Sequence, residues 1–187
     1  MSVRPDVRMD KDQFFAWLDR QERRHELMDG RVVVLPFVTR NHMRMGVNVC
    51  AALIARLDRS RFDISTGDFA VETGNRSVRY ADITVEPFGP EGGARSTTNA
   101  LLLLEVLSPS TMHVDFGEKL EEYKGLPALG AYLICAQDEA RVWIWTRQDG
   151  LGPDAPEILA GIESAVPVPA LGIELPMAEI YRNVSRR

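Results

Sequence analysis

Cysteine is nearly absent from this chain: only Cys50 and Cys135 occur, far apart and outside any C-x-x-C spacing. Two such residues supply neither a disulfide framework nor a zinc site, and both read as small buried hydrophobes. A reducing cytoplasm is the expected location. Long apolar runs are missing too. No stretch approaches the ~20 residues that span a bilayer, so no membrane partner is expected. The first eight residues lack the apolar core of a secretory signal.

A strong positive balance is also lacking. The net charge of −5 excludes a protein that coats nucleic acid through bulk electrostatics. The charge is uneven, however: residues 1–80 carry 14 Lys/Arg against 11 Asp/Glu, and residues 81–187 carry 8 against 16. The arginines of the first part (Arg20, Arg23, Arg24, Arg40, Arg44, Arg56, Arg59, Arg61) could form a phosphate-facing surface, although for any single one a solvated charge on a helix is the commoner outcome. The sequence holds no internal repeat, linker or low-complexity segment. It also holds no helix-turn-helix, zinc finger or aromatic-basic interleave of the kind that reads bases.

What is present suits one domain over residues 1–187, since a chain of this length with 45% hydrophobic residues can bury a sizeable core. Asp10 or Asp12 can cap a first helix running to about Arg24. Residues 25–35 read as a β-hairpin turning at Asp29-Gly30, a preferred type I′ pair. Asn41 can cap a second helix to about Arg59, along which Met45, Val49, Leu53 and Leu57 follow helical spacing. Strands are expected at Phe62–Ser65, Phe69–Glu72, Val78–Val85, Leu101–Leu107, Ala131–Ala136 and Arg141–Thr146. The Pro/Gly-rich residues 86–99 form an exposed loop, long enough to suggest mobility or function. A helix around Lys119 ends at Gly125. The Pro/Gly-rich stretch 150–176 carries two short strands, and a last amphipathic turn spans Met177–Tyr181. This order gives an α/β or α+β sandwich.

Asp82 and Glu105 stand inside apolar runs, Tyr80-Ala-Asp82-Ile-Thr-Val85 and Leu101-Leu-Leu-Leu-Glu105-Val-Leu107. Desolvating a carboxylate there is costly without a partner, and a metal ion is one common partner. If the two strands are neighbours, the acids converge on one face, where oxygen ligands suit Mg²⁺ or Mn²⁺. Lys119, on the following helix, then orients or deprotonates a water and offsets negative charge. The bland reading sets both acids on an exposed face and Lys119 on a solvated helix beside Glu118, Glu121 and Glu122. A six-residue apolar surround argues against it for Glu105.

The order Asp82, Glu105, Lys119 is similar to that of the PD-(D/E)XK restriction-endonuclease-like nucleases. Within that superfamily the chain resembles a large bacterial subfamily, abundant in cyanobacteria and long catalogued as a domain of unknown function. The matching segments are Arg24-His-Glu26-Leu-Met-Asp-Gly30, His42, Arg79-Tyr-Ala-Asp82, Leu103-Leu-Glu105-Val-Leu-Ser108-Pro-Ser-Thr111, Asp115-Phe-Gly-Glu-Lys119-Leu-Glu-Glu-Tyr123 and Val168-Pro-Ala-Leu-Gly-Ile173.

The resemblance implies a central mixed β-sheet flanked by helices, with an N-terminal helix and β-hairpin. It implies Asp82, Glu105 and Lys119 as catalytic residues, with Asp82 and Glu105 holding Mg²⁺ or Mn²⁺. The superfamily's usual lysine position falls on Leu107, so the amine comes from Lys119. Glu26 matches an acid near the site that helps hold the metal, or else it is a hairpin residue bonded to an arginine. His42 contacts a phosphate or site carboxylate, or serves as a cap. Asp115 belongs to the Asp-x3-Lys string, and Tyr123 braces Lys119 or is plain core. Ala81 stands where the subfamily usually has proline.

The implied activity is metal-dependent cleavage of DNA by a homodimer with no organic cofactor. The tryptophan pair Trp143 and Trp145 is either dimer interface or core. A non-catalytic nucleic-acid-binding or interaction protein of the same fold, and a small-molecule phosphatase with the same acids, are the alternatives.

Overall fold

The computed structural model describes residues 8–89, 91–108, 112–147 and 155–185. Helix α1 (Lys11–Leu18) opens with a reciprocal cap: Asp10 accepts the Gln13 N–H, and the Gln13 side chain accepts the Asp10 N–H. It stops well short of Arg24, because Asp19 to Arg24 offers no further apolar position to bury. The hairpin β1 (His25–Met28) and β2 (Arg31–Val34) turns at Asp29 (φ 44°) and Gly30 (φ 79°), the two positive angles that a type I′ turn requires.

Helix α2 (Arg40–Ile54) is capped by Thr39, whose hydroxyl accepts the His42 N–H. Asn41, the expected cap, instead donates its side-chain amide to the Ser185 carbonyl. The helix also ends at Ile54, earlier than Arg59. Met45, Val49, Leu53 and Leu57 are all buried as the spacing requires.

The strands that follow are β3 (Phe62–Thr66), β4 (Ala70–Gly74), β5 (Ser77–Arg79), β6 (Ile83–Pro87), β7 (Ser96–Thr97) and β8 (Leu102–Val106). Short helices α3 (Met112–Asp115) and α4 (Glu118–Lys124) precede β9 (Ala131–Cys135) and β10 (Arg141–Thr146). The end of the chain holds β11 (Glu157–Ala160), β12 (Ala165–Val168), β13 (Ile173–Pro176) and α5 (Met177–Ile180). Three strands therefore occupy a region where two were expected.

Six strands form a mixed sheet in the order β11-β10-β9-β8-β6-β3, with β8 and β9 parallel. Five more form a second sheet, β2-β1-β5-β4-β7, and β12 pairs with β13. The expected strand Val78–Val85 is in fact two. The chain leaves one sheet after Arg79 and enters the other at Ile83, so Tyr80, Ala81 and Asp82 form the crossing.

Side-chain alternation assigns the two faces of the six-stranded sheet. Ile83, Val85, Leu102, Leu104 and Val106 pack with Met45, Val49 and Leu53 of α2 and with Met177 and Ile180 of α5. Leu103, Tyr132 and Ile134 pack on the opposite face with Leu120 and Tyr123 of α4. Trp143 and Trp145 both meet the Phe116 ring edge-on at 5.1 and 6.0 Å, so the pair belongs to this second core. Among the described residues no helix is long and apolar enough to cross a membrane.

Candidate active site

Strands β6 and β8 are antiparallel, with Ile83 opposite Leu104 and Thr84 opposite Leu103. The same register carried one residue further sets Asp82 opposite Glu105, on the face that α4 covers. Asp82 lies just outside the strand, and its side chain continues the ladder where the backbone departs. Its Oδ2 accepts the Val106 N–H at 2.7 Å. The same oxygen lies 3.0 Å from His42 Nε2, at the start of α2. His42 thus meets a site carboxylate through its ring while its own N–H is capped by Thr39.

Glu105 is 4% exposed in a strand buried throughout. Two donors from α4 reach its Oε1: Lys119 Nζ at 2.9 Å and the Tyr123 hydroxyl at 3.1 Å. They stand one helical turn apart and so share a face. Tyr123 therefore braces the glutamate rather than the lysine. Lys119 is 5% exposed, not solvated, and its ammonium is also 3.4 Å from Glu26 and 3.6 Å from Asp115. Asp115, at the end of α3, receives the Tyr132 hydroxyl on its backbone carbonyl at 3.1 Å.

Glu26 sits behind this group. Its Oε1 accepts the Tyr80 N–H at 2.9 Å, and its Oε2 is 3.3 Å from Arg79 Nη1. Arg79 has no exposed surface, and it grips Glu122 through two hydrogen bonds of 2.8 and 2.6 Å. Arg79 opens the Arg79-Tyr-Ala-Asp82 segment but was not among the expected site residues. Neither was Gln137, which donates to the Leu107 carbonyl at 2.8 Å and accepts from the Thr39 hydroxyl. Nothing in the sequence around Gln137 signals that role.

Asp82, Glu105, Asp115, Lys119 and His42 all line one cavity of about 230 Å³; Glu26 and Tyr123 stand outside its lining. Residues 11–178 match the sequence profile of the family described as "Uma2: Putative restriction endonuclease". The chain belongs to the Uma2 family. It is 23% identical over 186 residues to the uncharacterized protein slr1290 of Synechocystis sp., covering 97% of this chain and 95% of that one. Its fold is similar to the crystal structure of a "putative nuclease belonging to DUF820" from Anabaena variabilis. That likeness has a TM-score of 0.75 at 16% identity and covers 92% of this chain and 97% of the other. The mixed sheet with flanking helices that the resemblance implied is therefore the fold of this Uma2 chain.

Electrostatics at the centre are dominated by acids. Burial pushes the Glu105 carboxyl well above the usual carboxylate range; Lys119 opposes that shift, and Asp82, Asp115 and Glu26 add to it. Lys119 pulls the other way. Burial disfavours its charge, but Glu105, Glu26 and Asp115 outweigh burial and hold it protonated, well above the usual lysine value. Burial and the Glu105 charge likewise keep the Tyr123 hydroxyl protonated, so that it remains a donor.

Each central carboxylate spends one oxygen on being held in place. Among the described residues no hydrogen bond reaches Asp82 Oδ1 or Glu105 Oε2. Two hard oxygen donors with surplus negative charge fit a divalent cation of the Mg²⁺ class. No group of three His, Cys, Asp or Glu suited to a metal occurs among the described residues. These two carboxylates are the oxygen donors open to such an ion, which in general keeps several waters of its own.

Proposed function

We propose that this Uma2 protein is a Mg²⁺- or Mn²⁺-dependent endonuclease that hydrolyses phosphodiester bonds in DNA, with Asp82, Glu105 and Lys119 as its catalytic residues. The observation that carries this reading is the buried Lys119 ammonium, 2.9 Å from Glu105 Oε1, beside a cavity that Asp82 also lines. Restriction-endonuclease-like proteins in general use divalent metals. Here Asp82 and Glu105 would hold the ion, which supplies activation of a water and charge neutralisation at the phosphate.

Lys119 is protonated and surrounded by acids, so it acts as a fixed positive charge and donor, not as a general base. It orients the attacking water and offsets the negative charge that develops on the scissile phosphate in the transition state. Tyr123 and the Val106 N–H fix the orientations of Glu105 and Asp82. His42 positions Asp82 from the opposite side. Glu26, with both oxygens occupied by the Tyr80 N–H and Arg79, is assigned to holding Lys119 in place instead of ligating the ion.

The enzyme is assigned to the cytoplasm as a homodimer. Met43, Val47 and Ile54, 51–61% exposed on the outer side of α2, support a second copy docking there. The test is incubation of wild type and Lys119→Ala with supercoiled DNA and Mn²⁺. Nicking by wild type alone supports the assignment. A wild type that binds DNA without nicking it leaves the non-catalytic binding protein as the function.

A further inference from the structure

One wall of the cavity is unlike its floor. The floor carries Asp82, Glu105, Asp115 and Lys119, whereas the segment from Leu35 to Val38, together with Tyr80, forms an apolar side. Phe37 stands at the rim. It is 94% exposed, the most exposed large hydrophobic side chain among the described residues. Val34 and Val38, 41% and 53% exposed, flank it in the chain, and grouped exposed apolar side chains of this kind mark binding surfaces. The Arg23 guanidinium lies 6.0 Å from the Phe37 ring centroid, so that the ring is flanked by a positive charge.

The cavity continues past Thr39, Ser108 and Gln137 into a groove of about 570 Å³ that Arg40 and Arg44 also line. Among the described residues neither arginine forms an ion pair, so both remain available to phosphate. An aromatic platform, a metal-competent floor and two arginines without an ion pair among the described residues therefore line two cavities that join at Thr39, Ser108 and Gln137.

Resting on the nuclease reading, we propose that each site takes an unpaired DNA strand, with one base stacked on Phe37 and the next phosphates held by Arg40 and Arg44. In a duplex the base faces are hidden in the stack and cannot cover Phe37. Duplex binding also relies on many phosphate contacts, which a chain of net charge −5 with a short basic stretch is poorly equipped to make. A single strand offers its base faces, and aromatic stacking then carries affinity without sequence readout. The absence of any base-reading motif is consistent with that.

The test compares a labelled oligonucleotide, alone and annealed to its complement, as substrate with Mn²⁺. Wild type is expected to cleave the single strand at least tenfold faster than the duplex. Phe37→Ala is expected to lose about tenfold on the single strand, corresponding to one base stack, and Phe37→Trp to retain the rate. Arg40→Ala with Arg44→Ala should raise KM and leave kcat within about twofold, as loss of uniform binding requires. Phe37 is so exposed that its replacement leaves the fold unaffected, which circular dichroism checks. Preference for the duplex, or an unchanged single-strand rate in Phe37→Ala, overturns this inference alone. Cleavage of neither substrate by wild type overturns both it and the nuclease assignment.

Discussion

Asp82 accepts the backbone N–H of Val106 at 2.7 Å, so a side chain replaces the missing rung where β6 begins. The carboxylate is thereby part of the sheet and of the cavity at once. Asp82→Asn keeps an oxygen to accept that N–H but loses the charge. Its Tm is expected to stay within about 3 °C of wild type, whereas Asp82→Ala strands a buried donor and loses about 1–3 kcal/mol. Both variants should lose Mn²⁺ binding by calorimetry. Unaltered Mn²⁺ affinity in Asp82→Asn would remove Asp82 from the metal site.

Glu105 makes the opposite trade. Its folded-state pKa is raised well above its unfolded value, mainly by burial. Between those two values the folded protein binds more protons than the unfolded chain, so stability falls as pH rises through that window. The cost is complete above the folded pKa and absent below the usual carboxylate range. Glu105→Gln removes it. The metal-free variant should melt about 3 °C higher than wild type at pH 8, roughly the effect of 1 kcal/mol in a chain of this size. That advantage should shrink steadily toward pH 5. A variant that melts lower than wild type at pH 8 would show that Lys119 more than compensates for burial.

Lys119 is the cation that makes this acidic cluster tolerable. Lys119→Met fills similar space and leaves Glu105, Glu26 and Asp115 without it. Breaking a buried pair from one side costs about 3–5 kcal/mol, or a Tm drop of about 10 °C at pH 8. The deficit should narrow as pH falls, because the stranded carboxyls can then take up protons. Cleavage should be lost, while Mn²⁺ still binds at Asp82 and Glu105. Scanning calorimetry at two pH values with a metal titration separates these effects. Equal Tm deficits at both pH values would contradict the charge argument.

The acid pair was legible because carboxylates inside Leu-rich and Ile/Val-rich runs announce buried charge, and period-two alternation then puts both on one face. The hairpin was legible from Asp29-Gly30, whose two positive φ angles few other pairs tolerate. The break between β5 and β6 was not. Val78 to Val85 alternates like one strand, and what interrupts it is distant: the Tyr80 N–H bonds to the Glu26 side chain instead of a neighbouring strand. Lys119 was named from the order Asp82, Glu105, Lys119, but its burial had no local signal, for the same reason. Glu118, Glu121 and Glu122 mark a solvated helix, and only the contacts to Glu105 and Glu26, far away in sequence, bury the lysine. Local pattern reports local preference. The position of a helix face against a sheet is decided by residues it does not contain.

Arg79 gives the last prediction. Its guanidinium has no exposed surface and joins three elements: it grips Glu122 of α4 with two hydrogen bonds, reaches Glu26 of β1, and itself ends β5. Burial works against its charge, but the hydrogen bonds to Glu122 and the charges of Glu26 and Glu122 raise its pKa, so it stays ionised. Lysine can keep the charge but cannot form the planar fork, and its compact ammonium can satisfy only one of these acids well. Arg79→Lys should therefore lose about 1–3 kcal/mol, a Tm decrease of about 3–9 °C. Glu26, released from Arg79, would shift toward Lys119 and draw that ammonium away from Glu105. Cleavage should then fall severalfold, while Mn²⁺ affinity at Asp82 and Glu105 changes by less than about threefold, under 1 kcal/mol. A variant with lowered Tm and full activity would make Arg79 a purely structural tie; a variant that loses Mn²⁺ binding would place Glu26 among the ligands after all.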